Sequence, residues 1–544
     1  MRTALLLYAL AALVRTLCML VFPDPGYADS SYYVEVARSL ASGRGLSVDF
    51  VWIFAEVGGT LPAVPVLPVA SNAHWLPLAS FIQAPFVAIM GPTAIASALP
   101  MVLIGSLAAP LTLAIARDVG ASRHVQLGAG VLAAIPAAGT VFMAQPENFA
   151  IFQPLVAATL WLAARGLRGD TRAYALAGLL VGVASLARND AFLLGAAVGL
   201  VFVIDRVRAW KAHRRPALPV VAAVACFALF LAVLGPWWAR QLAEFGSISP
   251  TASNGQALWL TEYRQWNSTT ATTTFAEFMA QGWGTILETR LVGLVGSLAN
   301  FAVLISSIIL LPLIPIGAWV RRRSDDFLPY FLFFAILLAG ATIIFPLHVP
   351  GGAFIHTAVG LAPHSYILGL EAVAIAIAWV AARRPAWDPR VATPLFTWTV
   401  VAFVAGSAVL YAPVVWASWD ETRVPRRALA AELERLEVPA SDRFMTIDAG
   451  GFKYWTGHGG VVSPDDPIEQ IEAVARGYDI RWLVLERRAI VAALRPVLRD
   501  DARPAWIGPA IYTRPSDADD GIPALALYPV CFAVEDVRCA ESGS

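Results

Sequence analysis

Long apolar runs separated by short polar turns fill most of the chain up to about residue 420, and the pattern changes beyond it. A bilayer span needs ~20 apolar residues. The first run, Ala4 to Phe22, is followed by Pro23-Asp24-Pro25 and by no small-residue cleavage site. It therefore reads as an uncleaved first span. Basic residues gather in short loops at Arg117 to Arg123, Arg165 to Arg172, Arg206 to Arg215, Arg321 to Arg323 and Arg383 to Arg390. Such loops mark the cytoplasmic side. Each interval between them is long enough, or nearly so, for two crossings. These turn outside at Gln145 to Asn148, at Arg188 to Asp190, across 237–290, and at His348 to Gly352.

A last span, Val391 to Trp416, then leads outward. On this reading the N-terminus is cytoplasmic, and residues 24–75 and 237–290 are external loops. Residues 420–544 form an extracytoplasmic domain. The parity closes at about eleven spans if the short run Leu76 to Met90 is re-entrant, and the range is about eleven to thirteen.

Past residue 420 the periods are those of a water-facing unit. Pro425 to Leu436 reads as an amphipathic helix, Phe444 to Ile447 as a strand, Pro467 to Arg476 as a helix, and Ile480 to Leu485 as a strand. The fold class expected is mainly α: a polytopic membrane helix bundle, residues 1–419, with a C-terminal α/β domain, residues 420–544.

Composition sharpens this. The 544 residues are 58% hydrophobic and 14% charged, with a mean hydropathy of +0.64. Soluble domains run nearer a quarter charged, so lipid must be part of the solvent. The formal net charge is zero, which excludes a nucleic-acid-binding surface built on bulk positive charge. Cys18 and Cys226 lie in apolar segments and read as packing residues. Cys531 and Cys539 can bridge if the terminal domain lies outside.

Ionisable groups near the membrane suggest function. Asp29 sits just beyond the first span, at the start of a helix that ends at Gly43. Tyr33, Val36, Ala37 and Leu40 share one face of it; Glu35, Arg38, Ser39 and Ser42 share another. Spacing alone leaves Asp29 as either a helix cap or a catalytic base. Glu147 lies in an external turn, where a carboxylate is ordinarily solvated. Arg188 and Asp190 tip a hairpin too short for two full spans, so the tip is expected to be recessed. Arg188 then pairs with Asp190 or meets a phosphate. His356 and His364 are eight residues apart and can share a helix face. His348 precedes a Gly-Gly break, and none of the three makes a zinc signature. No phosphate-binding G-x-x-x-x-G-K-[ST] loop, G-x-S-x-G or paired C-x-x-C occurs. Asp448-Ala449-Gly450-Gly451, after a strand, hints at a ligand loop but reads first as a plain turn.

Several short motifs together resemble a known family. Asp29, Tyr32-Tyr33, Ala37-Arg38-Ser39-Leu40, Gly43 and Gly45 are similar to the first motif of polytopic GT-C glycosyltransferases, family-39-like. That group includes protein O-mannosyltransferases and the lipid A aminoarabinose transferase. His74-Trp75-Leu76-Pro77-Leu78 resembles its P-P-L segment, and Pro146-Glu147-Asn148 its second acidic motif. Leu186 to Asp190 resembles its L-x-R-x-[DE] turn, and Gly351 to His356 a late external motif. Ser30 stands where several relatives carry a second acid.

The resemblance implies transfer of a sugar from a polyprenyl-phosphate donor to a hydroxyl acceptor (lipid, glycan or protein), with inversion. Asp29 would be the base. Tyr33, Arg38, His74, Glu147, Asn148, Arg188, Asp190 and His356 would contact substrate. A divalent metal ion is the candidate cofactor, with Glu147 and His348 as candidate ligands. The rivals are a membrane transporter, whose polar residues would gather at the midplane, and a non-catalytic scaffold with a ligand-binding terminal domain.

Overall fold

Alternation along the strands of the C-terminal region sorts their side chains into two cores. The computed structural model describes residues 1–250, 258–345, 347, 353–384, 386–518 and 520–532. Its strands are β1 (Ser47–Val48), β2 (Phe50–Val51), β3 (Val69–Ala70), β4 (Arg443–Thr446), β5 (Gly460–Val462), β6 (Ile480–Glu486), β7 (Tyr512–Arg514) and β8 (Leu525–Pro529). Phe444, Trp482, Val484, Leu525 and Leu527 pack with Leu429 and Leu433 of the helix Pro389–Arg435. Met445, Leu483, Leu485, Ala526 and Tyr528 point the other way, onto Ile471 and Val474 of the helix Ile468–Gly477. Successive strand residues face opposite sides, so one sheet separates two apolar layers.

The sheet order is β2-β5-β4-β6-β8-β7, and β1 pairs with β3 in a separate ribbon. β2, β5, β4 and β6 run parallel, and β8 pairs antiparallel with both β6 and β7. A Cβ on Gly460 would meet the Phe444 carbonyl oxygen at 1.8 Å. Only glycine permits that approach.

β2 comes from the segment expected to be a free external loop. Contacts divide the chain into two compact units: residues 1–24, 75–240 and 284–416, and residues 25–74, 241–283 and 417–544. The partition expected at 419/420 is thus corrected, because both external segments fold with the terminal domain. The second segment is held by Asp466, buried at 5% exposed. Asp466 accepts from the Thr269 N–H and hydroxyl, each at 2.7 Å, from the Thr270 hydroxyl at 2.7 Å, and from the Ser268 hydroxyl.

Two further expectations are corrected in this unit. The last span and the helix from Pro425 are one unbroken helix, Pro389–Arg435, of 47 residues. Proline keeps a helical φ and removes one bond, to the carbonyl four residues back. Asp448 begins a helix rather than a simple turn; its side chain caps Ala449–Thr456 through the Gly451 N–H at 3.0 Å. Arg426 bridges Asp448 at 2.6 Å and Glu486 at 2.9 Å, tying that cap to the long helix and β6.

The other unit is helical. Among the described residues seven helices are long and apolar enough to cross a membrane, from Arg2–Val21 to Pro389–Arg435. Three more apolar helices are shorter: Leu78–Met90, Thr171–Ser185 and Leu328–Ile344. The 13 residues of Leu78–Met90 extend about 20 Å, too short alone for a hydrocarbon core of about 30 Å. Small residues let backbones touch, as membrane helix pairs require. A Cβ on Gly178 would meet the Cys226 carbonyl at 2.0 Å, and one on Gly317 the Leu368 carbonyl at 2.0 Å. Arg15, inside the first span and unremarked in the sequence reading, is fully buried and donates to the Ala133 carbonyl at 3.2 Å.

Candidate functional site

In the helical unit, four motifs far apart in sequence are joined by hydrogen bonds at their turns. The Leu78 N–H donates to the Leu186 carbonyl at 2.9 Å. Gln83, one turn along the same helix, donates to the Pro146 carbonyl at 3.0 Å. The Asn148 amide donates to the Ala187 carbonyl at 2.9 Å. Thr357 donates its hydroxyl to Asp190.

Glu147 is the most enclosed acid there, at 1% exposed, and the solvated turn expected for it is corrected. Its carboxylate accepts the N–H groups of Asn148 at 2.6 Å and Phe149 at 3.0 Å. These are orphan donors at the start of the helix Phe149–Leu167, where a carboxylate is favoured. His356 places Nδ1 3.7 Å from Glu147 and stacks on Phe149 with ring centroids 4.3 Å apart.

Arg188 and Asp190 are a recessed pair, with side chains 10% and 8% exposed. Arg188 donates Nε and Nη2 to the two carboxylate oxygens, each at 2.9 Å. This planar fork fixes the guanidinium in orientation. The pair sits between the helices Thr171–Ser185 and Phe192–Lys211, on a single 3-10 turn, Asn189–Ala191.

The shared face expected for His356 and His364 is absent. His356 belongs to the helix Ala353–Ala358 and His364 to Ala362–Ala381, with the turn Val359–Leu361 between them. His364 stacks on Tyr330 instead. Among the described residues no three His, Cys, Asp or Glu side chains assemble as a metal site. His348 lies outside the described residues, as does Cys539 and with it the Cys531–Cys539 pairing.

The remaining candidates lie in the unit formed by 25–74, 241–283 and 417–544. Asp29 is half-buried in the first turn of the helix Ala28–Ala41. The N-cap is Tyr27, so Asp29 is not the cap. The helix does not float as an amphipath: Ser30 to Ala37 and Ser39 are all buried. Tyr33, 1% exposed, is a core residue, edge-on to Tyr32 at 6.3 Å. Arg38 pairs with Glu35 at 2.6 Å and lies 4.6 Å over the Tyr454 ring. Both residues thus make packing contacts within this unit.

His74 stacks on Trp52 at 6.2 Å and meets Trp266 edge-on at 5.1 Å. Trp266 and Tyr263 share the short helix Tyr263–Asn267, and the Asp29 charge reaches Tyr263. Trp52 and Thr357 were not singled out as members of these sites by sequence reasoning. Their only signal is the aromatic density of the two external segments and, for Thr357, its place beside His356.

Glu56 was also missed. It is 6% exposed, and burial pushes its carboxyl from 4.5 up to about 7, against hydrogen bonds from Tyr32 and the Trp52 and Ile53 N–H groups. The folded chain therefore holds more protons than the unfolded one between pH 4.5 and about 7, and stability falls as pH rises through that window. Glu56→Gln is expected to raise the melting temperature at pH 8, removing a penalty of about 3 kcal/mol. It should leave the melting temperature unchanged at about pH 4, where both states of Glu56 are protonated. Thermal melts of both chains at the two pH values check this; an equal shift at both would refute it.

Comparison with solved structures defines the class. ArnT from Cupriavidus metallidurans bound to undecaprenyl phosphate matches with a TM-score of 0.55 at 12% identity, over 96% of this chain and 97% of that one. Its apo state also gives 0.55, at 13% identity and the same coverage. The archaeal oligosaccharyltransferase AglB from Archaeoglobus fulgidus, in complex with an inhibitory peptide and a dolichol-phosphate, gives 0.45 at 12% identity, over 88% and 69% of the two chains. The protein is a multi-pass membrane protein with the fold of the GT-C glycosyltransferases. The likeness covers 96% of the chain and so includes most of residues 420–544. Within that class, residues 72–236 match the family described as dolichyl-phosphate-mannose-protein mannosyltransferase. No curated protein matches the sequence.

Proposed function

We propose that this chain transfers a sugar from a polyprenyl-phosphate carrier to a hydroxyl on a lipid, glycan or protein, at the extracytoplasmic face and with inversion. The observation that carries the reading is the joining of the Leu78, Glu147, Arg188 and His356 turns in the helical unit. Three of the four lie in the segment matching the mannosyltransferase family. The undecaprenyl phosphate bound by ArnT supports a polyprenyl-phosphate donor. The basic-loop pattern supports a cytoplasmic N-terminus and an extracytoplasmic terminal domain.

The acceptor oxygen attacks the anomeric carbon as that carbon's bond to the phosphate oxygen breaks. Polyprenyl phosphate leaves as a stable anion, so no general acid is needed, unlike the paired carboxylates of glycoside hydrolysis. The resemblance of its motif makes Asp29 the proposed base for the acceptor proton. Arg188, kept oriented by Asp190, stabilises charge on the departing phosphate. Glu147 and Asn148 hold the acceptor side of the turn with His356. Both Glu147 oxygens already accept backbone N–H groups, so no metal step is assigned to it. His74, with Trp52 and Trp266, offers aromatic faces to a pyranose ring.

The test is direct. The full chain in liposomes, given a labelled polyprenyl-phosphate sugar and a membrane acceptor extract, is expected to release polyprenyl phosphate and label the acceptor. Solute uptake with no carrier consumed would support the transporter instead.

A further inference from the structure

Four arginines surround one cavity in the terminal domain, remote in sequence from every residue assigned above. The cavity, about 340 Å³, is lined by Arg487, Arg488, Arg495, Arg499 and Asp520 over an apolar floor that includes Ile490 and Leu498. Arg487 is held by Asp520, at 2.5 Å and 2.7 Å. Arg488 reaches the Ser418 carbonyl at 3.3 Å and Glu421 at 2.5 Å. Arg495 and Arg499 are one helical turn apart, and like charges at that spacing repel. Among the described residues neither forms an ion pair; Asp465 feels the charge of Arg495 only at longer range. Four guanidinium groups against Asp520 and Glu421 leave the cavity with a surplus of positive charge.

Two features indicate which anion fits. Guanidinium forks match the oxygens of a phosphate. The pocket's contacts on the long helix also follow an apolar run: Ser418 and Glu421 lie two and five residues past Trp416, where that run ends. At 1.5 Å per residue they are within roughly 8 Å of that end, about the depth of a head-group layer beyond a hydrocarbon core. The apolar floor suits the glycerol or first methylenes of a lipid better than a bare ion.

We propose that this pocket binds a phosphate group, presented by the head group of an anionic membrane lipid. The proposal stands apart from the transfer reaction, since none of its residues is assigned to it, and either can fail without the other.

The test uses the full chain in detergent, with dioctanoyl phosphatidic acid, dioctanoylglycerol and inorganic phosphate as probes. Phosphatidic acid is expected to bind saturably and dioctanoylglycerol not at all. Arg495→Gln with Arg499→Gln should weaken binding at least ~10-fold, since each removes charge-assisted hydrogen bonds, with the unliganded melting temperature unchanged. If that pair perturbs folding, Ile490→Glu, which sets a negative charge at the floor, must give the same loss. Inorganic phosphate binding as tightly as phosphatidic acid would overturn the lipid source. Equal phosphatidic acid binding by wild type and variants would overturn the site.

Discussion

Asp29→Asn is expected to lower sugar transfer by roughly 10²- to 10⁴-fold, the contribution of a positioned general base, while the protein folds and inserts as before. The substitution separates the two readings of this residue. As a helix cap, Asn serves about as well as Asp, so a purely structural Asp29 would leave turnover unchanged. The structure already makes Tyr27 the N-cap, with Asp29 in the first turn beyond it. Its helix is anchored by buried residues on all sides, and the side chains are nearly isosteric, so the backbone there has no reason to move. What Asn lacks is the ability to accept a proton from an attacking hydroxyl. The check is turnover with labelled donor at saturating concentration, beside a thermal melt. Wild-type turnover in the variant would remove Asp29 from the mechanism.

Arg188→Ala is expected to cost both turnover and stability. Its guanidinium is paired in parallel with Asp190, and both side chains are nearly buried. Removing one partner of such a pair leaves the other charge uncompensated, at a cost of about 3–5 kcal/mol. Loss of a donor aimed at developing charge lowers turnover by about 10²- to 10³-fold. Arg188→Lys keeps the charge but loses the fork, and should fall between wild type and Ala. The double variant Arg188→Ala with Asp190→Ala separates the effects: it should recover stability, since no lone carboxylate remains, and stay inactive. Recovery of both together would make Arg188 a structural residue alone.

The recessed Arg188–Asp190 pair was legible where a motif and a geometric oddity coincided. The hairpin around Arg188 is short for two spans, and that shortfall alone points to a recessed tip. Glu147 was misjudged for a related reason. An acid in a turn is solvated when the turn faces water, but here the turn is capped by the start of its own helix and covered by His356 and Gln83. Nothing in Gln145 to Asn148 signals that cover, because it is supplied by residues more than sixty positions away in one direction and two hundred in the other. The surroundings of Tyr33 and Arg38 were not legible, because helical spacing tells which residues share a face and not what the face meets.

Composition and period were sufficient for a lipid-embedded helical chain with an α/β tail, since apolar excess and alternation are properties of short windows. They also located β4, β6 and the helix between Pro467 and Gly477 to within a residue or two. Only the folded chain decided that Phe50-Val51 joins the terminal sheet, that Ser268 to Thr270 serve Asp466, and that one helix passes through Pro425. A two-residue strand carries no period, a hydroxyl cluster names no distant acid, and a proline's cost is set by its surroundings. Each depends on long-range partners, and the pairing of distant segments is what a linear pattern does not encode.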